Sequence, residues 1–378
     1  MSKPLVFFSG LLLPPSETFI RAQGEGLQQF TPYYVGSRQV KGLSLPSERI
    51  LVVNRGGVLG AAQEGLFKLL GVAPRMYKQV QQLKPVLIHA HFGVCGALAL
   101  PLARTLKVPL IVTFYGIDIT MKDEYARRAS ISHRIYFHQQ KALQHETHLF
   151  IAISEFIKQK LLEKGFPSEK ILVHHIGVDT ETFQPDLDVL REPVVLFVGR
   201  LVEKKGCEYL IRAMAKVQAV MPEVELVVIG DGPLRASLEN LAGSTLKRYQ
   251  FLGVQPPQVV RNWMNRAMVF SVPSVTAESG DSEGLGVVFA EAQAMGLPVV
   301  SSATGGIPEV VAHGKTGFLA AERDWESLSE YILQLLKDSN LWQCFSSSGK
   351  ERVQAIFDQR KLSKSLEDIY EAVLRSKV

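Results

Sequence analysis

The strongest constraint on how this chain can fold is a repeated alternation of short, mostly β-branched apolar runs with longer helical patterns. In the first half the runs are Leu5–Phe8, Val86–Ala90, Leu110–Thr113 and Leu149–Ile153. Pro85 and Pro109 stand just before the second and third. Runs this short and this apolar read as strands buried on both faces. Helical patterns lie between them, such as Cys95–Thr105 and Ser154–Lys164, with Ser154 placed as a cap and Gly165 as a stop. Strand–helix alternation predicts an open parallel α/β sheet, doubly wound. The rhythm breaks at Gly177-Val178-Asp179, Phe183 and Pro185, and polar residues follow to Glu192, which reads as a linker. It then restarts: strands at Val194–Val198, Val224–Ile229, Gln250–Gly253, Met268–Val272 and Leu297–Ser301, helices at Gly206–Val220 and Val287–Met295. With 378 residues, more than one core usually covers, two such domains are expected, over residues 1–180 and 185–360. A last amphipathic helix is expected over Leu362–Leu374.

Composition narrows the function classes. Apolar residues make up 46% and charged residues 21%, which excludes a disordered or fibrous chain. Cys95, Cys207 and Cys344 are odd in number and lack C-x-x-C spacing, so a disulfide framework or zinc site is not expected; the thiols read as core residues of a protein in a reducing compartment. The opening apolar run is cut by Gly10, Pro14 and Pro15 and reads as a first strand rather than a signal peptide. No run of about 18 apolar residues occurs, so a spanning helix is not expected. The first 180 residues hold 21 Lys and Arg against 12 Asp and Glu, and the rest hold 21 against 25. A basic N-terminal half suits an anionic partner, phosphate groups or a lipid surface, as well as a merely uneven solvated surface. No nucleic-acid partner is expected.

In open α/β sheets ligands bind beyond the carboxyl ends of the strands, and the glycines and charges gather there. The sharpest segment is Glu283-Gly284-Leu285-Gly286-Val287-Val288-Phe289-Ala290-Glu291. Two carboxylates flank a glycine turn that opens a helix. Glycine lets backbone approach a ligand closely, and the first N–H groups of a helix suit phosphate and sugar oxygens. Glu283 and Glu291 can each accept hydrogen bonds from sugar hydroxyls. Gly199-Arg200-Leu201-Val202-Glu203-Lys204-Lys205-Gly206 follows a strand and supplies a forked and a compact cation, a set suited to a diphosphate or to a solvated basic loop.

The order of motifs is more specific. Arg200 with Lys205, Gly230-Asp231-Gly232-Pro233, Phe251-Leu252-Gly253, Glu283 with Glu291, Gly305-Gly306-Ile307-Pro308-Glu309 and Gly314-Lys315-Thr316-Gly317 follow one another. This resembles the retaining glycosyltransferases of family 4 (glycosyl transferases group 1), with the match strongest from Pro273 to Leu319 and thin between about residues 33 and 82. Leu13-Pro14 with Ser16-Glu17-Thr18-Phe19-Ile20 is similar to the subgroup that makes exopolysaccharides. The resemblance implies a GT-B fold, two Rossmann-like domains facing a cleft. The N-terminal domain would take the acceptor, with 362–378 crossing back onto it, and the C-terminal domain would take the nucleotide sugar. Arg200 and Lys205 would bind the diphosphate, Glu291 the ribose and Glu283 the donor sugar. Gly284, Leu285, Gly286 and Val287 would offer backbone donors. Leu252, Gly253 and Val254 would meet the base, and Glu17, His91 and Asp118 would line the acceptor side.

One position departs from the family pattern. Where many relatives carry a His before Gly, this chain has Tyr115 before Gly116. Tyr can donate a hydrogen bond but stays uncharged near neutral pH. It would replace the His as a donor, or mark different acceptor chemistry or reduced activity. His89 and His91 share a strand face without a third metal ligand in view, and no Asp-x-Asp stands out, so no metal and no cofactor are expected. His133, His138, His145 and His148 with Arg127, Arg128, Arg134 and Lys141 read as a solvated basic face. The reading is thus a cytoplasmic hexosyltransferase, possible also at the inner membrane face. It would move a sugar from a UDP-, GDP- or ADP-linked donor to a saccharide or lipid-linked acceptor. Its rivals are an epimerase or hydrolase of nucleotide sugars, and a degenerate donor-binding partner protein.

Overall fold

The structure, a computed structural model, describes residues 2–12, 14 and 17–376, so Leu13 and Ser16 of the exopolysaccharide-type motif lie outside the described residues. The chain divides into two compact units. One runs to Gly177 and takes in the chain again from Gln359, and the other is Val178–Asp358.

The first unit is a seven-stranded parallel sheet. Its strands are β1 (Lys3–Leu12), β2 (Phe30–Gln39), β3 (Ile50–Asn54), β4 (Ile88–His91), β5 (Leu110–Phe114), β6 (Leu149–Ala152) and β7 (Ile171–Val173). Their spatial order is β3-β2-β1-β4-β5-β6-β7. The order reverses between β1 and β4, which pair in register from Val6–Ile88 to Phe8–Ala90. Apolar runs on both faces explain the burial of β1, β5 and β6. Helix Glu155–Glu163 begins where expected, with the Ser154 hydroxyl accepting from the Ile157 N–H at 3.1 Å. The C-terminal helix Gln359–Arg375 packs Leu366, Tyr370 and Val373 into the core formed by Leu5, Phe7, Ile20 and Phe30. Buried Glu367 on this helix accepts the N–H groups of Gln28 (2.7 Å) and Gln29 (2.6 Å).

Strands β2 and β3 and helices Gly57–Leu70 and Pro74–Leu83 occupy the stretch where sequence patterning names no element. The reason is local: β2 contains Pro32 and Gly36, and the first of these helices contains Gly57, Gly60 and Gly65. Such residues weaken the intrinsic signal of an element that tertiary packing nonetheless secures.

The second unit repeats the design with six parallel strands: β8 (Glu192–Val198), β9 (Glu225–Ile229), β10 (Tyr249–Gly253), β11 (Ala267–Phe270), β12 (Val299–Ser302) and β13 (Gly317–Ala320). Their order, β10-β9-β8-β11-β12-β13, reverses between β8 and β11. Val178 pairs with Asp358, and Thr180 donates to the Asp358 carboxylate at 2.6 Å, tying the two ends of this unit together. The expectation of three core thiols fails at one position. Cys95 and Cys207 are buried, whereas Cys344 is exposed on helix Ser339–Arg352. Among the described residues no helix is long and apolar enough to cross a membrane.

Candidate active site

In a doubly wound sheet the crevice opens where the strand order reverses. In the second unit that point lies between β8 and β11. The loop after β8 carries Arg200, Lys204 and Lys205; the loop after β11 carries Asp281 and Glu283. Close backbone packing holds these loops. A side chain at Gly230 (φ +138°) would put its Cβ 1.9 Å from the Gly199 carbonyl, and one at Gly305 (φ +56°) 2.1 Å from that of Glu283. Neither position tolerates a Cβ. These glycines therefore pack loop against loop.

The two loops are joined by ion pairs. Lys204 Nζ lies 3.0 Å from Asp281, and Lys205 Nζ donates to Glu283 Oε2. The Val275 N–H donates to the Lys204 carbonyl at 2.8 Å, and the Glu278 N–H to the Glu203 carboxylate at 3.0 Å. Burial alone would raise the Glu283 carboxyl, but the ammonium groups of Lys205 and Lys204 outweigh it and hold the group below the ordinary range. Glu283 is thus a carboxylate whose charge is secured by its neighbours. Arg200 differs: its side chain is exposed and pairs with no carboxylate among the described residues. It is a free fork at the switch point.

Helix Val287–Ala294 starts at Gly286, whose φ of +83° is left-handed. Gly284, Leu285 and Gly286 are buried, and Val287 is half-buried at the first helical position. Glu291 lies one turn further along that helix. Burial pushes its carboxyl up to about 7. At the end of β10, the Gly253 carbonyl accepts from the Gly230 N–H at 2.8 Å and the Leu252 carbonyl accepts from Gln255, while Val254 is exposed. Sequence reasoning missed Glu322, just after β13. Its carboxylate accepts from the Thr276 N–H at 3.0 Å, from the Thr276 hydroxyl at 2.8 Å and from Thr304, joining three strand-end loops. Nothing in its local sequence separates it from any loop acid.

The first unit has its own switch point, between β1 and β4, and its polar groups are different. His91 ends β4, is fully buried, and shares a 2.7 Å hydrogen bond between Nδ1 and the Tyr115 hydroxyl. Its Nε2 has no hydrogen-bond partner among the described residues. Burial lowers the imidazole to about 3, so it is neutral at physiological pH. The Tyr115 ring lies tilted against those of Phe19 (4.9 Å between centroids) and Phe92 (4.8 Å). Glu17 is half-buried, and burial pushes its carboxyl up to about 7 against a hydrogen bond from Ser9. Asp118 is buried and accepts the N–H groups of Gly93 (2.8 Å), Gly116 (3.0 Å) and Tyr115 (3.2 Å). Its carboxylate fastens the loops after β4 and β5, leaving little capacity for a ligand. His89 is likewise committed, to Tyr370 and Thr113 at 2.6 Å each. Among the described residues no group of three His, Cys, Asp or Glu side chains could hold a metal ion.

Residues 179–352 match the family model described as glycosyl transferases group 1, and residues 27–182 match glycosyltransferase family 4. The amylovoran biosynthesis glycosyltransferase AmsK of Erwinia amylovora is 34% identical over 74% of this chain and 69% of its own length. The GDP-mannose-dependent α-(1-6)-phosphatidylinositol monomannoside mannosyltransferase of Mycolicibacterium smegmatis is 30% identical over 68% of this chain and 70% of its own length. Among solved structures, Anabaena Alr3699/HepE in complex with UDP and glucose aligns over 98% of this chain and all of its own, with a TM-score of 0.78 and 20% identity. Sucrose-phosphate synthase from Thermosynechococcus elongatus aligns over 99% of this chain and all of its own, at 0.77 and 23%. At that identity the likeness establishes the fold, and the expected GT-B architecture of two doubly wound units is the one found.

Proposed function

This chain belongs to the group 1 glycosyl transferases of family 4, and from that premise we propose that it moves a hexose from a nucleotide sugar to a saccharide or lipid-linked acceptor in exopolysaccharide synthesis. It is a glycosyltransferase by family; the donor, the stereochemistry and the residue roles are our reading. The observation that carries it is the Lys205–Glu283 pair across the β8/β11 switch point, beside the unpaired Arg200.

A departing nucleoside diphosphate needs its negative charge neutralised in place, and fixed cations and N–H groups do this without reorganising at the moment of reaction. Arg200 would take the diphosphate bidentately. Lys205 would share its ammonium between the leaving group and Glu283. The backbone N–H groups from Gly284 to Val287 would complete the cradle. Glu283, kept ionised by Lys205 and Lys204, would accept hydroxyls of the donor sugar. Glu291 would accept the ribose hydroxyls, with the backbone of Leu252, Gly253 and Val254 against the base. Same-face, retaining transfer would be driven by this leaving-group stabilisation. The same cations supply what a metal would, so transfer is expected to proceed without one. Two similar proteins support a nucleotide-sugar donor: the Anabaena protein, solved in complex with UDP and glucose, and the GDP-mannose-dependent Mycolicibacterium enzyme.

On the acceptor side, Tyr115 would stand as a neutral hydrogen-bond donor, oriented by His91, with Glu17 as the adjacent titratable group. An anionic membrane surface on the cytoplasmic face would present a lipid-linked acceptor. The test is a thermal-shift panel of UDP-, GDP- and ADP-sugars followed by transfer of labelled sugar to an acceptor extract. Stabilisation by one donor class, with label in the acceptor, is the expected result. Epimerised or free sugar without acceptor would replace the reading with an epimerase or hydrolase. Donor binding with no labelled acceptor would leave a donor-binding partner protein.

A further inference from the structure

Helix Gly57–Leu70 in the first unit is apolar around nearly its whole circumference, yet only one side of it is covered. Gly60, Glu64 and Phe67 face inward, with Phe67 against Phe8 at 6.2 Å between ring centroids. The outward side holds Val58 (89% exposed), Leu59 (73%), Leu69 (64%) and Leu70 (68%), with Leu66 and Val72 also exposed. Ala61 and Ala62 lie in the open beside them, and Gln63 is the single exposed polar side chain of the helix. A water-facing helix carries its charges on that side. A contiguous set of exposed Leu and Val marks a surface that meets something apolar.

The chain flanking the helix is predominantly basic. From Ile50 to Lys84 the chain has five Lys and Arg and one carboxylate, Glu64. Glu64 is turned inward and neutralised, accepting from Asn54 at 2.7 Å and Lys68 at 2.6 Å. Arg55, Arg75, Lys78 and Lys84 are exposed. Helix Ile131–Glu146 packs against the same helix and, with Arg127, brings Arg134, His138 and Lys141 into one open pocket.

We propose that the outward face of helix Gly57–Leu70 is an interfacial docking surface for an anionic lipid bilayer. Its Leu and Val side chains enter the headgroup–acyl boundary to a depth of about 5–10 Å. Arg55, Arg75 and Lys78 then reach the lipid phosphates, each adding attraction at an anionic surface. Charge selects this occupant over a second copy of the chain. A two-fold pairing would set the same basic rim against itself, whereas an anionic bilayer complements it. The surface deepens the proposed function, because it would bring the enzyme to a lipid-linked acceptor, and it rests on that reading only for its purpose.

The experiment is co-sedimentation of the full chain with phosphatidylcholine vesicles, with and without about one third phosphatidylglycerol, beside a nucleotide-sugar thermal shift. The wild type should sediment with the anionic vesicles and be released as salt rises from about 0.1 to 1 M, where the Debye length shrinks from about 10 to 3 Å. Leu59→Glu with Leu69→Glu should lower partitioning at least about tenfold, the loss expected from burying charges in place of two Leu side chains. Arg75→Glu with Lys78→Glu should lower it as well, and both pairs should keep the wild-type thermal shift. Wild-type protein left in the supernatant, or equal sedimentation of the Leu59→Glu/Leu69→Glu variant, overturns the proposal. So does a dimer in vesicle-free solution that this variant abolishes. Failure of the donor reading would appear elsewhere, as a chain that binds vesicles but is stabilised by no nucleotide sugar.

Discussion

The two units share one topology and differ in what they place where their strand order reverses. Between β8 and β11 stand ionised groups: free Arg200, and Lys204 and Lys205 paired with Asp281 and Glu283. Between β1 and β4 stand groups whose burial favours the neutral form: His91 lowered to about 3, its partner Tyr115, and Glu17 raised to about 7. The same crevice is thus built as a charged site in one unit and a neutral hydrogen-bonding site in the other. The first suits a diphosphate, whose recognition is mostly charge. The second suits uncharged hydroxyl groups, where a neutral imidazole or phenol can bond without bearing the cost of a buried charge. Architecture alone therefore does not assign a role to a switch point; the ionisation of the side chains on it does.

The largest test of the contrast is Arg200→Ala. Removing a preorganised cation from the proposed leaving-group site should cut transfer about 10²–10³-fold with little change in melting temperature, read by product formation under saturating donor. Wild-type rates would break the assignment of the second unit. Glu283→Gln comes next. It strips the partner from Lys205 at a site where both side chains are mostly covered (16% and 13% exposed). A loss of about 2 kcal/mol in unfolding free energy is expected, together with weaker donor use. Lys205→Met with Glu283→Gln should recover much of the stability but not the transfer, which separates the pair's structural role from its chemical one.

Glu291→Ala should weaken nucleotide-sugar binding about tenfold by titration calorimetry, as loss of hydrogen bonds to a carboxylate does. Unchanged affinity would remove Glu291 from the site. Tyr115→Phe deletes the hydroxyl bonded to His91 and should cost about 1 kcal/mol of stability. Donor affinity should stay the same while acceptor-dependent turnover falls; a change in donor affinity would dissolve the contrast between the two units. The smallest effect concerns pH. The folded Glu291 carboxyl sits at about 7 against 4.5 for the free group. Between those values the unfolded chain binds fewer protons than the folded one, so stability declines as pH rises through that window. Glu291→Gln lacks this contribution, so its melting temperature relative to wild type should rise from about pH 5 to pH 8.

Much of this is legible in the sequence alone. Each apolar run that ends in glycine or polar loop residues became a parallel strand, with β5 and β8 within two residues of their expected ends. The helix opening at Gly286 begins where its glycine turn requires. Strands β2 and β3 were hidden by Pro32, Gly36 and polar neighbours, since nothing local says that β1 lies beside them. Glu322 was hidden because its partners, Thr276 and Thr304, come from loops after two other strands.

The sequence by itself determined the doubly wound class, the two-unit plan and the segments bearing Arg200, Lys205, Glu283 and Glu291. Those depend on periodicity and turn chemistry, which are properties of neighbouring residues. Only the tertiary structure decided that Lys205 holds Glu283, that Asp118 is committed to backbone N–H groups, and that buried His91 and half-buried Tyr115 form one neutral hydrogen-bonded pair. It also decided that the apolar helix Gly57–Leu70 has one side covered and one side bare. Partners and burial arise from residues distant in the chain, and burial sets which groups keep their charge.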